Sequence, residues 1–184
     1  ETSKTSVSFS ANWTAPAIGT VTNYLLDVAT NSTFASPIAG SPFTIASPTL
    51  TYSVTGLTPA TTYYYRIRPD KTSVTGEGTM SNTITVTTKS TQTISFTAIP
   101  TQMYGDPDYT PVASSTSGLG LTFSSSNTSV ATIVSGKVHV VAVGTCTIYA
   151  DQAGDATYDV ATQQSSSFTV IQKPLTVTAD DVSK

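Results

Sequence analysis

Residues 56–68 constrain the fold of this chain more than any other stretch. A Leu-x-Pro turn beginning at Leu57 leads directly into a run of aromatic and basic residues. Tyr63 follows Leu57 by six positions, the spacing of a tyrosine corner, in which the ring packs into a two-sheet core and the hydroxyl bonds to upstream backbone. Side chains alternate along a strand, so the run predicts two faces: Tyr63, Tyr65 and Ile67 inward, and Tyr64, Arg66 and Arg68 outward.

The composition favours a folded β protein of one or two domains. Of the 184 residues, 10% are charged, against roughly 25% in an average soluble domain. Nine Tyr, six Phe and one Trp are spread along the chain, which therefore lacks the charged, aromatic-poor composition of a disordered protein. We expect cores of modest size.

The charge pattern argues against two classes of partner. The formal net charge is −3 and no cluster of Lys or Arg is present, so we expect no nucleic acid partner. The apolar runs are only a few residues long, so we expect no membrane insertion. Because the sequence begins with Glu1 rather than Met, we expect a piece of a longer protein, with neighbouring domains of the same chain as partners.

Alternating apolar residues in the first half predict short strands separated by turns. Residues 31–49 are rich in Ser, Pro and Gly and predict only short strands. The first predicted strand places four residues inward: Val7, Phe9, Ala11 and Trp13. The further predicted strands span 23–29, 50–54, 63–68 and 83–88.

Trp13 and the Tyr63 corner make this half resemble a fibronectin type III module over about residues 6–88. The resemblance implies an antiparallel β-sandwich that acts as a scaffold and does not name a ligand. Few residues precede Val7, so we expect the first strand of that fold to be missing or truncated. The sheet edge left uncovered would pair with preceding sequence or with another chain.

The second half contains three motifs in a fixed order. They are S-S-N-x-S-V-A-T from residue 125, V-x-x-V-G-T-x-T-I-x-A from residue 140 and Q-A-G-D-x-x-Y from residue 152. Their order resembles bacterial Ig-like repeats of large surface proteins. The pattern predicts strands at 93–98, with Ala98 inward, and at 167–170. It also predicts a hairpin over 137–150 that turns at Val143 and Gly144.

These patterns predict an all-β chain of two tandem antiparallel β-sandwiches, fibronectin III-like and then Ig-like. We expect Trp13 and Tyr63 in the first core. A linker of about four residues restricts bending between neighbouring domains. The second core is expected to contain Ile94, Phe96, Cys146, Ile148 and Phe168. The predicted boundaries are 1–88 for the first domain, 89–92 for the linker, 93–172 for the second domain and 173–184 for the start of a following repeat.

The sequence offers no catalytic residues. Strand alternation places Cys146 inward with Ile148 and Ala150, where it would act as a small hydrophobic residue. The same alternation places His139 on the opposite side of the sheet, so we expect no Cys–His dyad. Serine hydrolase, zinc, redox and phosphate-loop motifs are all missing from the sequence. We therefore predict a non-enzyme without catalytic, cofactor-binding or metal-binding residues and without a cofactor. A pair of carboxylates flanking a cleft stays open as an alternative.

Two surface sites stay open at this stage. Calcium takes about six or more oxygen ligands, and five loop carboxylates are candidates, without the spacing of a calcium-binding loop: Asp106, Asp108, Asp151, Asp155 and Asp159. The second site is the outward face of Tyr64, Arg66 and Arg68. It would bind a sugar or a protein, or only form cross-strand charge pairs with Asp27.

Three Asn-x-Ser/Thr sequons, at Asn12, Asn31 and Asn127, leave the glycosylation state open.

The resemblances together imply a structural role outside the cell. The leading interpretation is a stalk or spacer segment of a long, repetitive, secreted bacterial cell-surface adhesin of the gliding or biofilm type. A surface polysaccharide or protein ligand would then be bound through other domains. The alternative is a set of accessory, non-catalytic modules of an extracellular carbohydrate-active enzyme.

Overall fold

The computed structural model describes residues 3–16, 21–70 and 78–178. The described part of the chain is all-β, and it contains no helix long and apolar enough to cross a membrane. The chain divides into two compact units, one made of residues 1–91 with Asp155–Asp159 and the other of Gln92–Gly154 with residues 160–184.

The first unit contains two antiparallel sheets. A four-stranded sheet has the order β3-β2-β5-β6, and β1 pairs with β4 in the second sheet. Their inward faces supply one hydrophobic core, in which Phe9, Leu26, Val28 and Val54 are fully buried. The strands are β1 (Ser8–Asn12), β2 (Asn23–Ala29), β3 (Phe43–Ala46), β4 (Thr51–Thr55), β5 (Thr62–Asp70) and β6 (Ile84–Thr87).

The tyrosine corner is confirmed. Tyr63 is buried, and its hydroxyl oxygen accepts a hydrogen bond of 2.9 Å from the backbone amide of Thr58. Thr88 closes the same turn from the other side, since its hydroxyl donates to the Thr58 carbonyl at 2.7 Å and accepts from the Thr61 amide at 3.0 Å. Side chains from two directions therefore satisfy the backbone polar groups of this turn.

The start of β1 corrects one sequence prediction. Val7 was expected to face inward, but it is 49% exposed. The chain bends just before Ser8, where Thr5 donates its amide to the Ser8 carbonyl at 2.9 Å and Lys4 bridges Phe9. Strand alternation therefore begins only at Ser8.

Trp13 lies beyond the end of β1 and is only partly buried. Its ring packs against Tyr24, with the ring centroids 5.5 Å apart, and it covers the edge of the first core. The sequence predicted that Trp13 contributes to this core, and its packing against the core residues confirms this. Its place is at the periphery of the core, because β1 ends before Trp13 is reached.

The first unit also includes Asp155–Asp159, which is distant in sequence. Tyr158 forms a parallel bridge with Ser90, and the amide of Ser90 donates to the Thr157 carbonyl at 2.8 Å. The amide of Ser6 donates to the Asp159 carboxylate at 2.8 Å. The sequence pattern predicted only a loop over residues 152–158, and nothing in that pattern indicated these bonds.

The second unit builds its core from three sheets. Their orders are β10-β13-β14-β8, β11-β12 and β7-β9. Val138, Cys146, Ile148 and Phe168 are buried together in it. The strands are β7 (Ile94–Phe96), β8 (Gln102–Met103), β9 (Ala113–Ser115), β10 (Thr122–Ser125), β11 (Ala131–Val134), β12 (Lys137–Val140), β13 (Gly144–Asp151) and β14 (Gln164–Ile171).

Two predictions for the second unit are wrong. The expected hairpin over 137–150 does not form, because β12 pairs with β11 and β13 pairs with β10 and β14. The chain turns instead at Ser135 and Gly136, whose φ angles of 50° and 77° are those of a two-residue hairpin loop. Ala98 was expected to face inward but is exposed, because β7 already ends at Phe96. One pairing is also parallel, that between β14 and the two-residue strand β8.

Replacing Thr88 with Val tests how strongly the corner turn holds the first unit. Thr88→Val keeps the shape but removes the hydroxyl, so the Thr58 carbonyl and the Thr61 amide each lose a hydrogen-bond partner. We expect the free energy of unfolding in urea to fall by about 1–3 kcal/mol.

Thr87→Val is the matched control. Thr87 is exposed, and its hydroxyl pairs with that of Thr62. This variant should change stability by less than about 0.5 kcal/mol. Equal effects of the two substitutions would show that the Thr88 hydroxyl does not hold the turn.

Candidate functional site

The candidate site is formed by charged side chains on the outward face of the four-stranded sheet. Asp27 on β2 lies directly opposite Arg66 on β5, and Arg68 lies opposite Leu25. The same alternation that turns Tyr65 and Ile67 towards the core turns the two arginines to the other face. These are the only arginines of the chain.

Both arginines converge on one carboxylate oxygen. Arg66 Nε is 3.0 Å from Asp27 Oδ2, and Arg68 Nη1 is 3.4 Å from the same atom. The Asp27 side chain is only 13% exposed and that of Arg68 12%, so the ion pairs are shielded from salt more than surface pairs are. Two guanidinium groups stay charged at any ordinary pH, and both contact the Asp27 carboxylate.

An aromatic ring packs against the charged cluster. The guanidinium carbon of Arg66 lies 3.9 Å from the centroid of the Phe34 ring, within the range of a cation–π interaction. Phe34 has a φ of 58°, unusual for a bulky residue. Phe34 lies in a turn that Asn31 stabilises, because the side-chain oxygen of Asn31 accepts a hydrogen bond from the Ala35 amide at 2.9 Å.

The cluster borders a shallow pocket of about 230 Å³. Arg66 and Arg68 line it together, as the sequence predicted, but Tyr64 does not. Sequence reasoning missed Phe34, because it lies in an irregular stretch where strand parity gives no direction. Its only signal was an aromatic residue among Ser and Pro. The full lining is Asp27, Phe34, Pro37, Ser41, Pro42, Arg66 and Arg68.

The five loop carboxylates have separate structural partners. Asp106 accepts from the Met103 amide at 2.9 Å, and Asp151 accepts from the Gln163 side chain at 2.8 Å. Asp108 pairs with His139 at 2.8 Å. Within the described residues, no three His, Cys, Asp or Glu side chains are grouped so that they could hold a metal ion.

Asp155 caps a turn through two backbone amides. Hydrogen bonds from the amides of Tyr158 and Thr157, both 2.7 Å, and the nearby charge of Lys89 lower the pKa of the Asp155 carboxyl. Because the pKa is lower in the folded state, this carboxylate stabilises the fold above its unfolded pKa. That contribution is lost as pH falls through the lowered value.

The predicted burial of Cys146 and exposure of His139 are confirmed, but the two residues lie in different sheets rather than on opposite sides of one. Cys146 is buried, with its sulfur 3.2 Å from the Ser125 hydroxyl. The His139 side chain is 53% exposed and points to Asp108. Of the sequon residues, Asn31 and Asn127 hold turns through side-chain oxygens, which accept from the amides of Ala35 and Ser129.

Comparison with known families identifies the first half of the chain. The family model described as "Fibronectin type III domain" matches residues 2–87. Residues 2–87 are a fibronectin type III domain. In the structure this domain contains both sheets of the first unit, β1-β4 and β3-β2-β5-β6, and the Tyr63 corner. Fibronectin type III domains are typically non-catalytic modules.

One solved structure with similarity to the chain is the crystal structure of the FN5 domain of Drosophila Lar. The identity is 24%, the match covers 48% of this chain and 88% of that chain, and the TM-score is 0.38. A search of curated proteins finds no match.

Substitution of Asp27 tests the energetic role of the cluster. Asp27→Asn removes the carboxylate that Arg66 and Arg68 share, in a position that is only 13% exposed, so we expect the fibronectin domain to lose about 1–3 kcal/mol of stability in urea unfolding. Asp108→Asn is the control, because its pair with His139 is exposed and should contribute less than about 1 kcal/mol. A neutral effect of Asp27→Asn would show that the cluster does not stabilise the domain.

Proposed function

We propose that this chain is a non-catalytic spacer segment of a long, repetitive adhesin on a bacterial cell surface. The observation that carries the proposal is the presence of two separate hydrophobic cores in consecutive parts of the chain. In the first unit the core extends from Phe9 to Val86. In the second unit the buried residues form two clusters, one from Ile99 to Val170 and one around Ile94, and Phe96 and Phe123 pack against both. A series of domains that each bury their own core adds length without needing a ligand.

The bacterial origin and the surface location are supported by the second half. Its three ordered motifs, beginning at residues 125, 140 and 152, resemble Ig-like repeats of bacterial surface proteins. The first two motifs lie in β10 and β11 and in β13 of the second unit. The third begins in the loop after β13, and its last four residues, 155–158, belong to the first unit.

The polar surface also suits an extracellular spacer. Hydroxyl pairs bridge neighbouring strands, for example Thr62 with Thr87 at 2.9 Å and Thr147 with Ser167 at 2.7 Å. Such neutral pairs are not weakened by salt, unlike exposed ion pairs. With only 10% charged residues, the surface keeps its stability when the ionic strength outside the cell changes.

The alternative is an accessory module of an extracellular carbohydrate-active enzyme. The pocket beside Arg66 and Phe34 favours it, because a guanidinium group next to an aromatic ring suits a sugar that carries a carboxylate. In that case the outward face of β5 would contact the ligand directly, and the chain would do more than add length.

A domain replacement in the parent protein separates the two functions. Residues 1–172 are deleted in one strain and replaced by two unrelated β-sandwich domains in another, and attachment of the cells to a surface is measured. We expect the deletion to reduce attachment and the replacement to restore it, since a spacer contributes length rather than specific contacts.

Arg66→Ala in the native chain is the companion variant. The spacer function predicts unchanged attachment, because the arginine supports only its own domain. Loss of attachment with Arg66→Ala, or failure of the replacement to restore it, would contradict the proposal and favour a ligand-binding module.

A further inference from the structure

An exposed apolar patch lies on the second unit. Tyr104, Val141 and Val143 are 53%, 41% and 52% exposed. With Ala142 and Gln172 they line one shallow pocket of about 260 Å³. Single exposed apolar residues are normal on a protein surface, but a contiguous group marks a contact surface.

The chain leaves the second unit at this patch. Strand β14 ends at Ile171, whose carbonyl accepts the Tyr104 amide at 2.9 Å. Ile171 is itself 42% exposed, and the next residue, Gln172, lines the pocket. Whatever follows in the sequence therefore starts at the rim of the patch.

The residues that follow have the pattern of an unfinished strand. Leu175 and Val177 alternate with Thr176 and Thr178, and alternation of this kind places both apolar side chains on one face of a strand. They are 91% and 84% exposed. An apolar face of this kind is stabilised only when a sheet and a core of its own cover it.

We propose that the patch around Tyr104, Val141 and Val143 is the docking surface for the next domain of the same chain, which begins with residues 173–178. The inference rests on the proposed function, since it requires a further domain in the series. Leu175 is the third residue after Gln172, and an extended chain spans at most roughly 3.6 Å per residue, so Leu175 lies within about 11 Å of the patch.

The size of the patch favours a tethered partner over a separate molecule. Three side chains and the rim around them cover far less than the roughly 800 Å² per partner that a stable complex of free proteins buries. A domain attached by a few residues is present at an effective concentration in the millimolar range. A small apolar contact is then sufficient to hold it.

Thiol labelling of Val143→Cys tests the contact directly. It is measured in three lengths of the natural chain: residues 1–172, residues 1–184, and a piece extended through the next domain. The wild-type chain reports the background from buried Cys146. We expect fast labelling in the two shorter pieces and labelling slowed about tenfold or more in the extended piece, because docking removes the thiol from solvent.

Val112→Cys is the matched control, since Val112 is 59% exposed and does not line the pocket. Its labelling rate should be the same in all three pieces. Equal rates for Val143→Cys in all pieces, or the absence of a further folded domain in the extended piece, would overturn the proposal. It would also be overturned by slowing already in residues 1–184, which would show that the tail covers the patch, or by slowing that depends on protein concentration, which would show a second copy.

The labelling rate does not depend on cell attachment. A failure of the docking contact is therefore distinguishable from a failure of the spacer function, which the domain replacement measures.

Discussion

The first domain depends on one hydrogen bond, from the amide of Thr58 to the hydroxyl of Tyr63. This bond holds the turn before β5 against the side chain of Tyr63, whose ring is buried beside Phe9. Because β5 is the strand between β2 and β6, fixing its start also fixes which of its side chains face the core. The position of Arg66 and Arg68 on the outer face follows from this register, and so does their meeting with Asp27.

The charged residues of the described chain serve mainly to hold structure. Asp27 neutralises part of an arginine pair, Asp106 and Asp155 cap turns, and Asp108 pairs with His139. In a chain with so few charged residues, backbone ladders, hydroxyl pairs and apolar cores carry the stability. These roles agree with the proposed spacer function, and the exposed apolar patch at Tyr104 is the surface of the proposed docking contact.

The sequence predicted side-chain direction well wherever a strand is regular. Tyr63, Cys146 and His139 all lie on the expected faces, because alternation within a strand is fixed by backbone geometry. It failed at bends, as at Val7 and Ala98, and in the choice of hairpin partners. Both Gly136 and Gly144 mark possible turns, and only pairing across the whole sheet decides between them. In the candidate site, β2 and β5 place Asp27 and the arginines, whereas Phe34 comes from an irregular turn that no periodicity describes.

The most direct test of this account is the stability of the first domain when the Tyr63 hydroxyl alone is removed. In Tyr63→Phe the ring still fills the core, but the Thr58 amide loses its partner. We expect a loss of about 1–3 kcal/mol in urea unfolding and faster hydrogen exchange at Thr58. Tyr64→Phe, on the neighbouring outward position, should leave both unchanged. Unaltered stability and exchange in Tyr63→Phe would contradict the claim that the corner bond fixes β5 and, with it, the outer face of the sheet.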